Sequence, residues 1–108
     1  MPPKATNLFE FAGDLPEGAE ISEVLARGED LRVERILSRG HSTSVGQWYD
    51  QDDEEWVVVL RGQARLEWEG GETTELVEGD WVLIPAGCRH RVAWTSTEPA
   101  CMWLAVHF

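Results

Sequence analysis

The chain has 108 residues, which is enough for one compact domain and excludes a second. Residues of the AVILMFWYC set make up 43% of it and charged residues 27%, which is typical of a soluble globular protein and too apolar for a disordered one. Twenty Asp and Glu residues against nine Lys and Arg residues give a formal net charge of -11 at pH 7, so we expect no nucleic acid and no anionic membrane surface as a partner.

Two features of the sequence predict a cytoplasmic protein. No stretch approaches about eighteen consecutive apolar residues, and Met1–Glu10 lacks the basic start and apolar run of a signal peptide. The two cysteines, Cys88 and Cys101, are too few for a disulfide framework. We therefore expect both to be free thiols in a reducing compartment.

The first thirty residues are the least regular part of the sequence. Ile21, Val24 and Leu25 fit one stripe of a helix, but Ile21–Arg27 also fits an edge strand of a sheet, and we favour the strand. Residues 1–30 are thus predicted to be an N-terminal segment, an edge strand or a short helix, that is a candidate for a dimer interface. Residues 31–108 are predicted to form one β-barrel.

From Leu31 onward the apolar residues recur at every second position, which predicts strands that bury one face. Gly70-Gly71 predicts a tight hairpin turn, because glycine accepts the positive φ that such turns need. Short antiparallel strands in this number close into a barrel or pack as two sheets, so the domain is predicted to be all-β. The strands that precede and follow the glycine breaks are Leu31–Leu37, Glu55–Leu60, Gln63–Glu69, Trp81–Ile84, His90–Trp94 and Cys101–Phe108.

Two stretches carry the most specific pattern. From Gly79 to His90 the chain has a glycine, five residues, a proline, one residue, a glycine, two residues and a histidine, and in Glu55–Gly62 a glutamate precedes a strand that ends in glycine. The proline ends one strand and the second glycine allows the bend that brings His90 to the start of the next. Together the two stretches resemble the two motifs of the cupin superfamily, as in a small single-domain cupin with a degenerate first motif. The resemblance implies a double-stranded β-helix, also called a jelly-roll β-barrel.

The resemblance also implies a metal site, and here the sequence departs from it. A typical cupin carries His-x-His shortly before the glutamate, and binds iron, manganese, zinc or nickel through both histidines, the glutamate and the later histidine. Glu55 and His90 match two of these four ligands, but the segment Trp48–Gln51 holds no histidine in the place of the other two. We therefore expect a divalent metal ion bound with modest affinity by Gln51, Glu55 and His90, with Asp50 as the alternative to Gln51.

The side chains that point into the barrel before Glu55 depend on the spacing. Tyr49 and Gln51 point inward if three residues intervene, whereas Trp48 and Asp50 do so if four intervene. Alternation in the last strand puts His107 on the same face as Trp103, so His107 is a further pocket candidate, as a ligand or a proton carrier. Trp94 falls where many cupins carry asparagine, and we expect it in the pocket wall, where it would make the cavity more apolar.

Three functions remain open at this point. The first is a metal-dependent enzyme that acts on a small molecule in the barrel. The second is a metal-free enzyme in which Glu55, Tyr49 and a histidine exchange protons with the substrate, provided that burial raises the glutamate pKa. The third is a non-catalytic binder of a small ligand. We also expect a homodimer, because Trp56, Val58 and Leu60 would form an outward apolar face that the N-terminal segment or a second copy must cover.

Overall fold

The computed structural model describes every residue from Met1 to Phe108 and consists of β-strands joined by turns and loops. No segment forms a helix with the length and apolarity needed to cross a bilayer. The eight strands are β1 (Glu20–Gly28), β2 (Leu31–Ser38), β3 (Glu55–Arg61), β4 (Ala64–Trp68), β5 (Thr73–Leu76), β6 (Trp81–Ile84), β7 (His90–Thr95) and β8 (Cys101–His107).

The strands form two antiparallel sheets. The larger sheet has the order β1-β2-β8-β3-β6, and the smaller has the order β5-β4-β7. The chain passes between the sheets from β3 to β4, from β5 to β6, from β6 to β7 and from β7 to β8, so these four connections alternate between the two sides of the core. This alternation is a jelly roll, and the all-β prediction is confirmed.

The core lies between the two sheets and takes its residues from the inner face of each strand. Trp103 on β8 is its largest side chain, and the indole Nε1 donates a hydrogen bond to Ser38 Oγ at 3.2 Å. A partner of this kind lets a buried indole avoid an unsatisfied donor. The members of the core cluster are Val57, Val59, Ala64, Leu66, Leu76, Ile84, Cys101, Trp103 and Ala105.

Residues 20–28 of the N-terminal segment form β1, which is the outer strand of the larger sheet and pairs with β2 of the same chain. The residues before β1 lie across the outer face of this sheet. Arg35 donates hydrogen bonds from Nη1 to the carbonyl oxygens of Leu8 and Glu10, both at 2.8 Å. The Arg61 guanidinium lies 5.0 Å from the centre of the Phe9 ring. The N-terminal segment therefore covers part of the outer face of this sheet.

The glycine that ends the first motif is required by its surroundings. Gly62 has a φ of 82°, and a Cβ atom there would lie 2.6 Å from Ser96 Oγ and 2.9 Å from the carbonyl oxygen of Ala100. Neither the conformation nor the space suits a larger residue. Gly62 thus lets the chain turn sharply from β3 in one sheet to β4 in the other.

Candidate functional site

A cavity of about 210 Å³ lies between the two sheets at one end of the barrel. Three adjacent strands of the larger sheet, β2, β8 and β3, build one wall of it in aligned rows, and residues in one row share a face of the sheet. The row nearest the opening is polar, the next is mixed and the third is apolar. The rows are Arg32–His107–Glu55, Glu34–Ala105–Val57 and Ile36–Trp103–Val59.

The two sequence motifs meet at the opposite wall. Tyr49 and His90 pair as an isolated β-bridge, with Tyr49 N donating to the His90 carbonyl at 2.7 Å and His90 N donating to the Tyr49 carbonyl at 3.1 Å. Gly87 N donates to the Gln51 carbonyl at 2.7 Å. Because both ends of this segment are held, Tyr49 and Gln51 line the cavity beside His90.

Glu55 is the centre of the polar end. Its residue surface is 9% exposed, and its carboxylate oxygens lie 3.7 Å from His90 Nε2 and 4.0 Å from His107 Nε2. Burial, followed by repulsion from the carboxylates of Glu34 and Asp53, raises the pKa of Glu55 from its ordinary value of 4.5 to about 7, although Arg32 acts in the opposite direction. A carboxyl group of this pKa can both give and accept a proton near neutral pH.

His90 presents a lone pair to Glu55. Its Nδ1 lies 2.9 Å from the Cys88 carbonyl, and because a carbonyl oxygen only accepts, Nδ1 carries the proton and Nε2 is the acceptor in the neutral ring. Burial lowers the pKa of His90, which favours this neutral form. The Tyr49 and Trp68 rings flank the imidazole, with centroids 5.5 Å and 6.0 Å away.

His107 lies on the other side of Glu55, near the chain terminus. Its Nδ1 is buried without a hydrogen-bond partner, and the nearest carboxylate oxygen to that atom, on Asp53, is 3.9 Å away. Burial, followed by the charge of Arg32, lowers the pKa of His107. The unpaired Nδ1 marks a position where a bound molecule or ion would find a partner.

Three charged residues of the cavity wall were not singled out from the sequence: Glu20, Arg32 and Glu34. Arg32 Nε donates to Glu34 Oε1, and Ser38 Oγ donates to Glu20 Oε2 at 2.7 Å. A signal for them exists in the sequence of β2. There Arg32 and Glu34 are two residues apart, so both charged side chains lie on the same face of the strand.

Two of the predicted site residues lie outside the cavity. Asp50 is exposed at the surface, with its carboxylate 3.9 Å from Arg89 Nε, because Tyr49 and Gln51 take the inward positions. Trp94 was expected in the pocket wall, but it is 41% exposed and lies against the Arg65 guanidinium. The cause is a β-bulge: Arg65 and Leu66 of β4 pair with Trp94 and Val92, so Ala93 is an extra residue that turns Trp94 outward.

The histidine and glutamate side chains suit a divalent metal ion in kind but not in spacing. Imidazole nitrogen and carboxylate oxygen are the donors that zinc, iron, manganese and nickel take in proteins. Two ligands at tetrahedral or octahedral angles around such an ion lie roughly 3.0–3.5 Å apart, whereas Glu55 stands 3.7 and 4.0 Å from the two imidazoles. No group of three or more His, Cys, Asp or Glu side chains in the chain has the arrangement of a metal site.

Comparisons with known proteins agree with this architecture. A profile described as a cupin domain matches residues 37–107. A solved structure from Ralstonia eutropha, of a protein named as a candidate mannose-6-phosphate isomerase, is 45% identical, with a TM-score of 0.85 and 97% of each chain covered.

Two more distant structures show the same fold. A cupin superfamily protein from Desulfitobacterium hafniense is 18% identical, with a TM-score of 0.74 over 88% of this chain and 82% of the other. A protein from Neisseria meningitidis is 14% identical, with a TM-score of 0.72 over 97% and 99%. A search of curated proteins gave no significant match. From the jelly roll, the paired motifs and the profile match over residues 37–107, the chain belongs to the cupin superfamily.

Proposed function

We propose that this cupin binds a small molecule in its barrel and that Glu55 exchanges a proton with the bound molecule. The observation that carries the proposal is the position of one carboxyl group, buried at the end of a cavity of about 210 Å³, with a pKa raised by burial to about 7. General acid–base catalysis is most effective when the pKa of the catalytic group lies near the working pH.

The reaction class that fits these groups is proton transfer next to a carbonyl. The Glu55 carboxylate takes the proton from a carbon adjacent to the carbonyl, the C–H electron pair passes into an enolate, and the protonated Glu55 returns its proton to the same carbon. Where that carbon carries a hydroxyl group, the enediolate can instead take the proton on the former carbonyl carbon while the hydroxyl proton moves to the carbonyl oxygen, which isomerises the substrate. Tyr49 supports the charge that develops on oxygen, because burial raises the pKa of its phenol and keeps a donor in the cavity wall. His90 Nε2 offers an acceptor for a substrate hydroxyl.

The relative from Ralstonia eutropha supports the reaction class more than the substrate. An isomerase of a sugar phosphate moves a proton between adjacent carbons, as proposed for Glu55. The cavity wall, however, contains three carboxylates, Glu20, Glu34 and Glu55, against the single cation of Arg32. A doubly charged phosphate would be repelled in this surrounding. We therefore propose a small carbonyl compound without a phosphate group as the substrate.

The test is solvent-deuterium exchange into small aldehydes, ketones and 2-oxo acids, followed by proton NMR in D2O. The protein is expected to accelerate exchange at the carbon next to the carbonyl for at least one compound, and Glu55→Gln is expected to lower that rate at least a hundredfold. Asp50→Asn is the matched control, since it removes a nearby carboxylate that lies outside the cavity. An equal rate for the wild type and Glu55→Gln would exclude Glu55 as the proton carrier.

A divalent metal ion of modest affinity is a second candidate function of the same site. It is favoured by the meeting of imidazole and carboxylate groups at the polar end: Glu55 oxygens lie 3.7 Å from His90 Nε2, the acceptor of the neutral ring, and 4.0 Å from His107 Nε2. Gln51, which lines the cavity beside His90, adds the oxygen of its side-chain amide. When bound, such an ion would supply a Lewis acid beside the substrate. The wide spacing of the ligands supports weak rather than tight binding.

Elemental analysis after gel filtration, with calorimetric titration of zinc, manganese, iron and nickel, separates the two candidates. Glu55→Ala and His90→Ala are expected to abolish metal uptake, and His41→Ala is the control because its ring contacts Gly18 and Glu20 rather than Glu55. Uptake that is unchanged in both site variants would remove the metal candidate and leave the metal-free reaction.

We also propose that the protein is a cytoplasmic homodimer. Both cysteines are free, which supports a reducing compartment. On the outer face of the larger sheet the N-terminal segment leaves part of the apolar surface uncovered: Trp81 is 59% exposed, and it lies beside Leu83 and the Trp56 ring, 6.0 Å away. A twofold contact between two copies of this patch would cover it. A monomer in light scattering at micromolar concentration would refute the dimer.

A further inference from the structure

Arg32 is the one cation in the cavity wall, and its guanidinium is only partly used by the protein. The Nε atom donates to Glu34 Oε1, whereas neither Nη1 nor Nη2 has a partner within the chain. The side chain is 35% exposed and lies between the cavity and a second groove at the surface. Two free N–H groups on a planar guanidinium match the two oxygens of a carboxylate.

The register of the larger sheet relates this guanidinium to Glu55. Arg32 of β2 pairs with His107 of β8, and His107 pairs with Glu55 of β3, so the three residues form one row on the inner face. Neighbouring strands lie about 4.8 Å apart, which puts the Arg32 and Glu55 backbones about 10 Å apart, with His107 between them. A ligand that contacts both side chains therefore lies over His107, and the backbone separation of about 10 Å limits it to a small molecule.

We propose that Arg32 binds the carboxylate of a small monocarboxylic acid, and so makes short 2-oxo or 2-hydroxy acids the substrate class of this cavity. The carboxylate lies against Nη1 and Nη2 of Arg32, the rest of the molecule lies over His107, and the carbon that carries the transferable proton faces Glu55. Because the wall also carries three carboxylates, Glu20, Glu34 and Glu55, each further negative charge on the ligand adds repulsion, which favours one carboxylate over dicarboxylates and phosphate esters. This inference rests on the proposed site at Glu55 and adds the group that selects the ligand.

The experiment is an NMR titration of 15N-labelled protein at pH 7 with sodium pyruvate and sodium lactate, each beside its neutral amide. The wild type is expected to bind the acids at least tenfold more tightly than the amides. Arg32→Gln is expected to weaken acid binding at least tenfold and to leave amide binding within twofold. Arg27→Gln is the matched control, because Arg27 pairs with Arg32 across β1 and β2 and lines the second groove but not the cavity.

A second variant protects the test against misfolding. Arg32→Gln alone leaves Glu34 without its ion-pair partner, so the double variant Arg32→Gln/Glu34→Gln is measured too, and circular dichroism checks the fold of both. The proposal is overturned if the acids bind either folded variant within twofold of the wild type. It is also overturned if Arg27→Gln weakens binding as much, or if the amides bind the wild type as tightly as the acids.

Measuring deuterium exchange in Glu55→Gln beside acid binding in Arg32→Gln separates this inference from the proposed function. Loss of deuterium exchange in Glu55→Gln with unchanged acid binding in Arg32→Gln would overturn the carboxylate subsite and keep the proton-transfer site. Loss of acid binding in Arg32→Gln with normal exchange in Glu55→Gln would do the reverse.

Discussion

The two ends of the barrel are built from the same three strands but have opposite properties. At one end β2, β8 and β3 contribute Ile36, Trp103 and Val59, which pack into the core. Two rows further along, the same strands contribute Arg32, His107 and Glu55 around a cavity. The rows are only about 14 Å apart, because each pair of residues along a strand advances the chain by about 7 Å. Stability and chemistry are thus divided along the strands rather than between sheets.

The largest expected effect is a loss of stability at the apolar end. Trp103→Ala removes the largest side chain of the core and leaves Ser38 Oγ without its indole donor, so we expect the free energy of unfolding to fall by about 3–5 kcal/mol. Urea unfolding followed by circular dichroism at pH 7 measures it. A loss below about 1 kcal/mol would mean that this end is not the stabilising one.

At the polar end, removing the charge of Glu55 is expected to raise the free energy of unfolding rather than lower it, by an amount that depends on pH. The pKa of Glu55 is about 7 in the folded protein and 4.5 without burial, so the folded state binds this proton more tightly. The group's contribution to stability is therefore fully present below about pH 4.5 and is lost as the pH rises through about 7. The raised pKa corresponds to roughly 3 kcal/mol.

Glu55→Gln removes this titration. After dialysis against EDTA, the difference in unfolding free energy between Glu55→Gln and the wild type is expected to grow by roughly 2.5 kcal/mol in favour of the variant between pH 5 and pH 8. Denaturant unfolding at several pH values gives this difference, in which other titrating groups cancel. A difference that stays flat across this range would mean that Glu55 is not desolvated, and would weaken the contrast between the two ends.

The sequence was sufficient to predict most of the fold, because apolar residues recur at every second position in most strands. In β8 the two-residue period places Trp103 and His107 on the inner face, and both line the cavity. Gly62 and Gly87 both have positive φ, so the glycine spacing of the motifs follows from backbone conformation. The choice between Tyr49 and Asp50 needed the structure, because it depends on a loop in which no period operates.

The pattern misleads where the inner face of a strand is the charged one. In β2 the apolar residues Leu31, Val33 and Leu37 suggest a core face, yet the opposite face, with Arg32 and Glu34, lines the cavity. A site reverses the ordinary relation between burial and polarity, since buried charges are retained where they have partners or a ligand. Charged residues at alternate positions of a barrel strand therefore indicate that this face of the strand can line a binding site.

The smallest expected change in stability is at the bulge in β7, where substitutions also test which residues belong to the cavity wall. Trp94→Ala is expected to lower the free energy of unfolding by less than about 1 kcal/mol, because the ring lies on the outer surface and loses mainly its contact with Arg65. Pyruvate binding and deuterium exchange are expected to stay within twofold of the wild type.

Val92→Ala, two residues earlier in the cavity wall, is expected to change ligand affinity more than Trp94→Ala does. The reverse order would mean that Ala93 is not the extra residue and that Trp94 faces the ligand after all.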